Sequence, residues 1–526
     1  MTDNINDSSG IRESFPDITR RDFLKKSCLA AGMVSASGLL PGVCFGNPVI
    51  PKQEYSGRKK VIIIGIDGMD PFLSERMMTE GFLPFFKKLR DAGGYRRLKT
   101  SHPPQSPVAW ANFITGANPG IHGLFDFIHR NPASQAAPVF SMTETAPGKG
   151  YFKWNQYKLQ FEFWPFNHQP PETILKRQGT PFWDFLDAEG ISSSFYYLPS
   201  NYPPSPSKYG HHQCLAGMGT PDLSGTYGTY HFFAEDLATV STPGGGRHIP
   251  VRFNKNTTRP LLRLKGPKNP FDVGDGDAFI DFSVHRDPRA EAAVIDIQGQ
   301  RKVLKVGEWS DWFRLRFDMP LPGLIPDHKV YGLCRFYLQS VNPHFALYVS
   351  PVNVDPLHPA VKLTEPASLA PEISGKKGMF ATAGFQEDHK ALSNGVFSET
   401  EYATQAAYVL HERLEMLDYA LDAYGDGLLF FYFSSIDLQS HMFWWDSEKK
   451  HPTRSAAMAK DCFMHLKNVY RRLDRVVGDI VHRYKDALIF VISDHGFCNF
   501  SRQFNLNRWL AQNRFLGPKR ATHLLS

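Results

Sequence analysis

Short, continuous apolar runs alternate with helical patterns at both ends of the chain. One run, "KKVIIIGID", comes soon after residue 58, and two more, "GLLFFYFSSID" and "ALIFVISD", come late; each is typical of a strand buried on both faces. Helical spacing follows the first run in "ERMMTEGFLPFFKKLRDAGG" and precedes the later runs in long segments that begin "ETEYATQAAY" and "TRSAAMAKDC". This alternation predicts an α/β fold with a mostly parallel sheet and helices on both faces.

The pattern changes in the middle of the chain. From about residue 205 to 375 the helical spacing fades, and alternating segments such as "VYGLCRFYLQS" appear among many prolines and glycines. We therefore expect a β-rich insertion at 205–375. It would divide an α/β core into a first part at 60–204 and a second part at 376–526.

The N-terminal segment has the composition of an export signal. Arg20 and Arg21 precede the residues "DFLKK", and a mildly apolar stretch then continues to about residue 45. This arrangement resembles a twin-arginine signal peptide, which we assign to residues 1–46, followed by a polar linker at 47–59. The twin-arginine export machinery would then be a partner, and the mature protein is expected in the periplasm or outside the cell.

Composition argues against nucleic-acid binding, a membrane span and a cysteine-based scaffold. The net charge is +7 over 526 residues, and no dense cluster of lysine and arginine indicates nucleic-acid binding. No apolar stretch after the N-terminal segment is long enough to span a membrane. The six cysteines include no C-x-x-C pair, so neither a disulfide scaffold nor a cysteine zinc site is expected. No pattern indicates an oligomeric state.

Acidic residues follow all three apolar runs. These residues and the histidines near them are Asp67, Asp437 with His441 four positions later, and Asp494 with His495 directly after it. The carboxyl ends of parallel strands meet at one edge of a sheet, where ligands collect. Carboxylate and imidazole groups are ligands for zinc, and for manganese where oxygen dominates. One such acid would more often cap a turn, but three acids with two histidines favour a metal site.

A candidate nucleophile lies in the segment "SHPPQSPVAWANFITG". Because Pro107 suits the first turn of a helix, Ser106 is predicted as the N-cap of that helix. Its hydroxyl would then lie at the positive end of the helix, a favourable place for a phosphate group. The local pattern leaves two interpretations open, a serine that only caps the helix and a serine that attacks a substrate.

Four motifs occur together and in a specific order. They are "GIDGMDP", "HPPQSPVAWANFITGANPGIHGLFDF", "IDLQSH" and "SDHGF", which lie within about 60–130 and 400–510. In this order they resemble the type I phosphodiesterase/nucleotide pyrophosphatase family of the alkaline phosphatase superfamily. The resemblance implies an alkaline-phosphatase-like fold and hydrolysis of a small-molecule phosphate ester, more readily a diester than a monoester.

The resemblance also implies a role for each candidate residue. Ser106 occupies the nucleophile position and would form a phosphoserine that is then hydrolysed. Asp67, Asp494 and His495 look like the ligands of one divalent ion. Asp437 and His441 look like two ligands of a second ion. Both ions are expected to be zinc, with manganese as the alternative.

Two features depart from the family pattern. Members that act on nucleotides carry an asparagine after the nucleophile helix, where this chain has Phe127, followed closely by His129, Arg130 and Asn131. The family also supplies a third ligand to the second ion, a histidine well after the Asp-His doublet. Here the only later histidine is His523, in "KRATHLLS", which does not resemble the expected segment. We therefore expect a truncated C-terminal end and an incomplete second metal site.

Other functions are compatible with the same residues. A catalytically inactive binding protein on the same fold would follow from an incomplete metal site. A metal-dependent phosphomutase uses a similar serine and metal set, although export would separate it from its cytoplasmic substrates. A sulfatase is disfavoured, because the residues "PVAW" after Ser106 lack the arginine that sulfatases require.

Overall fold

The structure is a computed structural model of the chain. It describes residues 59–130, 139–162, 167–238, 240, 245–253, 260–323, 325–500 and 502–515. The predicted signal peptide at 1–46, all of the predicted linker except residue 59, Asn131 and His523 lie outside the described residues.

Strands are numbered here along the described residues. They are β1 (Lys60–Ile66), β2 (Ile128–His129), β3 (Val139–Phe140), β4 (Thr143–Ala146), β5 (Phe152–Trp154), β6 (Tyr157–Leu159), β7 (Glu172–Leu175), β8 (Ser193–Tyr196), β9 (His212–Leu215), β10 (His231–Ala234), β11 (Arg247–Pro250), β12 (Leu261–Lys268), β13 (Asp277–Asp287), β14 (Ala292–Ile297), β15 (Gln300–Lys305), β16 (Phe313–Met319), β17 (His328–Cys334), β18 (Phe336–Ser340), β19 (Ala346–Val349), β20 (Asn353–Val354), β21 (Thr364–Glu365), β22 (Gly427–Phe433) and β23 (Ala487–Ile492).

Helices are numbered in the same way. They are α1 (Pro71–Thr79), α2 (Pro84–Leu89), α3 (Ser106–Thr115), α4 (Pro119–His122), α5 (Phe182–Ala188), α6 (Leu369–Lys377), α7 (His389–Ser393), α8 (Glu399–Ala423), α9 (Ser435–Phe443), α10 (Ala456–Arg483) and α11 (Leu506–Gln512), with a π-helical turn at Arg90–Gly94. In the part of the chain that the structure describes, none of these helices combines the length and the apolar composition needed to cross a membrane.

A six-stranded sheet forms the centre of the fold, in the order β21-β9-β8-β22-β1-β23. β1 runs parallel to both of its neighbours, and β8 and β9 continue the parallel part. β21 is the one antiparallel member of this sheet. The three apolar runs of the sequence form β1, β22 and β23, and their carboxyl ends therefore lie side by side. The prediction of a mixed α/β fold with a mostly parallel sheet is confirmed.

The isoleucines of β1 explain why this strand is central. Ile62, Ile64 and Ile66 are fully buried, and β-branched side chains suit a strand covered on both faces. The same prediction is wrong for β23, where Leu488 and Phe490 are 58% and 44% exposed. Among the described residues β23 pairs only with β1, so it is an edge strand whose alternate side chains reach the surface.

The helices after β1 are shorter than the periodicity indicated. The first helical segment divides into α1 and α2, because Gly81 adopts a positive φ of 82° and Pro84 begins a new helix.

The two long helices are confirmed. α8 begins with a capping box in which Ser398 and Glu401 each accept from the other's backbone N–H, and α10 buries one face along its whole length.

The middle of the chain is rich in strands. Most of its strands form three small sheets, in the orders β11-β10-β19-β18, β12-β13-β14-β15 and β16-β17-β20. They enclose a second apolar core, with Phe282, Phe317 and Phe336 among its buried residues. β9 and β21 also belong to this range, but they pair within the central sheet.

One buried acidic side chain of α10 caps the N-terminus of α2. Asp474 of α10 is 1% exposed and accepts hydrogen bonds from the backbone N–H groups of Phe85 (3.3 Å) and Phe86 (2.7 Å). These groups belong to the first turn of α2, whose N–H groups have no partner within the helix. Asp474 therefore caps α2 from a distance of nearly 400 residues in sequence.

We expect Asp474→Ala to lower the free energy of unfolding by about 1–3 kcal/mol, because it leaves two N–H groups of α2 without an acceptor. Asp479→Ala is the matched control, since Asp479 is exposed on the same helix, and it should change stability by less than about 0.5 kcal/mol. Urea unfolding of the purified proteins measures both values. Equal stability of the two variants would contradict the capping role.

Candidate active site

The six candidate residues lie in one network at the carboxyl ends of β1, β22 and β23. Asp67 directly follows β1, Ser106 begins α3, Asp437 and His441 belong to α9, and Asp494 and His495 come after β23. We call Asp67, Asp437, Asp494 and His495 the acid cluster. All four are buried or nearly so: the side chains of Asp67 and His495 are 0% and 11% exposed.

Ser106 reaches the acid cluster through its hydroxyl. Its Oγ donates to Asp67 Oδ1 at 3.1 Å and lies 3.1 Å from His495 Nε2. The predicted N-cap is wrong by one residue, because the helix begins at Ser106 and Gln105 is the N-cap. Gln105 supplies the backbone carbonyl for the first turn, so the Ser106 hydroxyl does not cap the helix. Among the described residues, its hydrogen-bond partners are the Asp67 carboxylate and the His495 imidazole.

His495 directs one ring nitrogen into the middle of the cluster. Its Nε2 lies 3.5 Å from Asp67 Oδ1, 3.5 Å from Asp437 Oδ1 and 3.6 Å from Asp494 Oδ2. The other nitrogen, Nδ1, lies 3.1 Å from the carbonyl oxygen of Gly496. A carbonyl can only accept, so Nδ1 carries the proton in the neutral ring and Nε2 presents a lone pair to the cluster. A lone pair among three carboxylates is suited to a cation.

Asp437 and His441 lie on a helix and not at the end of a strand, which corrects the sequence interpretation. β22 ends at Phe433, and α9 begins two residues later. Residues four apart share one face of a helix, so Asp437 and His441 point the same way, with Asp437 Oδ1 at 3.4 Å from His441 Nε2. The side chain of Asp437 is 7% exposed and that of His441 is 57% exposed. The pair thus connects the buried cluster with the protein surface.

Asp67 is held by two further side chains. Its Oδ2 accepts hydrogen bonds from Tyr432 Oη at 2.6 Å and from Trp110 Nε1 at 2.9 Å. Tyr432 is the penultimate residue of β22, and Trp110 lies one turn after Ser106 on α3. The sequence interpretation missed both residues. The sequence signals for them were a hydroxyl within the apolar run "FFYF" and an indole four residues after Ser106.

Burial and neighbouring charges shift the pKa values of three residues at the site. Burial raises the pKa of Asp67, and the nearby Asp437 carboxylate raises it further. Burial also raises the pKa of Asp494 well above its usual range, with Asp67 and Asp437 adding to the effect. Contact with the Asp437 carboxylate raises the pKa of His441. The shifts of the two aspartates have the sign expected for acids that are buried and repel one another, and the shift of His441 has the sign expected for a base beside a carboxylate.

The cluster offers carboxylate oxygens and an imidazole nitrogen that could bind a cation. Ligand atoms of Asp67, Asp437 and His495 all lie within 4.8 Å of one another. Asp437 Oδ1 and Asp494 Oδ2 are buried without a hydrogen-bond partner among the described residues. Buried carboxylate oxygens normally have partners, so two unpaired oxygens beside one imidazole nitrogen fit a divalent ion. Oxygen with nitrogen is a donor set that zinc and manganese accept.

One glycine and two hydrogen bonds hold the residues of the cluster close to one another. Gly68 has a positive φ of 67°, and a Cβ there would lie 2.8 Å from the Cα of Asp437. Glycine at this position therefore lets α9 approach the end of β1. The N–H of Gly68 also donates to Asp494 Oδ1 at 3.1 Å, and Thr100 Oγ1 donates to the Asp494 carbonyl at 2.5 Å.

The place of the family asparagine is occupied differently here. Phe127 is half-buried, and its ring lies 6.5 Å from that of Phe385. His129 and Arg130 are exposed. Within the described residues, the hydroxyl of Ser106 has its hydrogen-bond partners in the acid cluster and not in this segment.

Comparison with known proteins agrees with the motifs. The chain matches the family model described as "Type I phosphodiesterase / nucleotide pyrophosphatase" over residues 61–256 and 358–524. No curated protein and no solved structure matches the chain significantly. The two matched segments cover more than half of the chain and contain all six candidate residues.

Members of this family hydrolyse phosphoric esters and generally depend on metal ions. The resemblance inferred from the four motifs is therefore confirmed, and so is the class of enzyme. The chain belongs to the type I phosphodiesterase/nucleotide pyrophosphatase family, within the alkaline phosphatase superfamily.

Proposed function

We propose that the protein is an exported, metal-dependent phosphodiesterase in which Ser106 is the nucleophile. The observation that supports this most directly is the position of Ser106 Oγ, at 3.1 Å from both Asp67 Oδ1 and His495 Nε2. A serine hydroxyl between a carboxylate and an imidazole is placed to lose its proton and attack phosphorus.

Asp67, Asp494 and His495 would hold one divalent ion, and Asp437 with His441 would hold a second. Asp437 Oδ1 and Asp494 Oδ2, which have no hydrogen-bond partner among the described residues, support this assignment. When bound, such ions supply positive charge that favours the serine alkoxide and the charge on the transferred phosphoryl group. We propose zinc, with manganese as the alternative.

The residues of the chain then perform the reaction in two steps. In the first, the Ser106 oxygen bonds to phosphorus while the bond to the leaving alcohol breaks, and the serine proton passes to a neighbouring cluster atom. The departing alkoxide takes a proton from solvent, and the cluster atom gives the serine proton back to solvent. In the second step water attacks the phosphoserine, which releases a phosphate monoester and restores the Ser106 hydroxyl. His495, with Nδ1 fixed on the Gly496 carbonyl, keeps Nε2 directed into the cluster, where it would hold the ion beside the Ser106 oxygen.

Substrate choice is proposed to depend on the middle of the chain. The matched family segments leave out residues 257–357, and this stretch contributes strands to a separate apolar core. This supports a β-rich insertion within 205–375 whose loops select the ester, with β9 and β21 belonging to the α/β core. Phe127, in place of the nucleotide-binding asparagine, argues for a substrate other than a nucleotide.

Replacing Ser106 by alanine should lower kcat for bis(p-nitrophenyl) phosphate about 10³-fold or more, because the attacking oxygen is removed. Ser101→Ala is the control. Ser101 lies in the loop before α3, and its hydroxyl donates to the Pro103 carbonyl and not to the cluster. Release of p-nitrophenol measures both variants. Full activity of the Ser106 variant would exclude the phosphoserine mechanism.

Treatment with a chelator should abolish hydrolysis, and added zinc or manganese should restore it. Asp494→Asn should lower the metal content per chain, because it weakens one ligand of the cluster. Asp355→Asn is the control, since Asp355 is equally buried but pairs with Arg314 far from the cluster. Elemental mass spectrometry gives the metal content. Undiminished metal in the Asp494 variant would contradict the ligand assignment.

Changing Arg20 and Arg21 together to lysine should keep the protein inside the cell, because the twin-arginine route requires the arginine pair. Changing Lys25 and Lys26 together to arginine preserves charge and should leave export unchanged. Cell fractionation of the two full-length proteins distinguishes them. Export of the Arg20/Arg21 variant would refute the proposed route.

A further inference from the structure

Asp67 has two carboxylate oxygens with different surroundings. Tyr432 and Trp110 both donate to Oδ2, at 2.6 Å and 2.9 Å. A carboxylate oxygen has two lone pairs directed in its plane, so two donors use the capacity of Oδ2. Among the described residues, the Ser106 hydroxyl, at 3.1 Å, is the one hydrogen-bond donor to Oδ1, which leaves a second lone pair facing His495 Nε2 at 3.5 Å.

Packing fixes the two donors in place. The rings of Trp110 and Tyr432 meet edge to face, with centroids 5.6 Å apart, and Trp110 makes a similar contact with Phe430 at 5.8 Å. Both rings are buried, with Trp110 1% and Tyr432 2% exposed. Such contacts hold aromatic side chains in one rotamer, so the N–H and O–H groups have a fixed direction.

A glycine in β1 makes room for this arrangement. A Cβ at Gly65 would lie 2.8 Å from the Trp110 ring and 2.9 Å from the Phe430 ring. Any larger residue there would push the indole away from the strand. Gly65 stands two residues before Asp67, and its register partner on β22 is Tyr432. The pairing of β1 with β22 and the packing of α3 over Gly65 thus bring both donors to Oδ2 of Asp67.

We infer that Trp110 and Tyr432 are positioning residues that make Asp67 a one-oxygen metal ligand, with Oδ1 directed at the ion and at Ser106. This rests on the proposed function, because it assumes that the acid cluster binds a divalent ion. Partners of this kind orient a ligand and keep it from rotating, and their loss typically costs 10–100-fold in metal affinity. The helix that presents the nucleophile also orients the ligand, since Trp110 and Ser106 lie one turn apart.

The affinity for zinc, measured by competition with a chromogenic chelator, tests the inference. Tyr432→Phe removes one hydroxyl and keeps the ring, and it should raise the Kd for zinc about 10–100-fold. Tyr484→Phe is the matched control. It removes a buried tyrosine hydroxyl that donates to the Leu421 carbonyl at 2.7 Å, far from the cluster, and it should leave the Kd unchanged.

The melting temperature of the metal-free proteins separates positioning from a structural role. For a positioning residue, Tyr432→Phe should resemble the Tyr484 control in metal-free stability and differ from it in zinc affinity. Equal zinc affinity of the Tyr432 variant and the wild type would overturn the inference. Wild-type protein that binds no zinc or manganese would overturn the proposed function instead.

Two further variants keep the test decisive if Tyr432→Phe does not fold. Trp110→Phe removes the second donor, and Gly65→Ala displaces the indole while leaving every polar group in the chain. Both should raise the Kd for zinc in the same direction as Tyr432→Phe. A Gly65 variant that folds and binds zinc as the wild type does would contradict the role given to the indole.

Discussion

The mutual repulsion of three carboxylates governs the arrangement of this site. Asp67, Asp437 and Asp494 are all buried, and the pKa shifts of Asp67 and Asp494 show how unfavourable their negative charges are in that place. Carboxylates in such surroundings either take up protons or share a cation. The lone pair of His495 Nε2, directed at the same point, favours the cation. The fold around the cluster can be understood as the means of holding these groups together against their repulsion.

The order of the parallel strands contributes most to holding the cluster together. β1 lies between β22 and β23, so three segments that are far apart in the chain end at the same edge of the sheet. The isoleucines of β1 and the aromatic residues of β22 are buried around this edge, and burial of apolar surface is the main source of stability that can offset the cost of buried charge. Two glycines, Gly65 and Gly68, then allow closer approach than any other residue would, one for the Trp110 ring and one for α9.

The sequence was informative where the pattern is local. Apolar runs identified β1, β22 and β23, and the acids after them identified the cluster, because a strand and the residue that follows it are contiguous. The assignment of Asp437 to a strand end was wrong, although the spacing of four residues to His441 is a helical spacing. The exposure of Leu488 and Phe490 could not be predicted either, since periodicity within β23 carries no information about its neighbours. Trp110 and Tyr432 were missed for a similar reason: their partner lies 43 and 365 residues away, and both look like ordinary core residues.

The exposure of the side chains changes from one side of the site to the other. The side chain of Asp67 is closed to solvent, while that of His441, on the other side of Asp437, is 57% exposed. The open side of the site therefore lies at His441, and the Asp67 side of the cluster is covered by Tyr432 and Trp110. On this side both donors are fixed by packing, so Oδ1 has little freedom to move. On the open side, the half-exposed His441 ring meets that of Phe497 edge to face, with centroids 4.9 Å apart. Side chains near His441 can therefore change without disturbing the buried carboxylates.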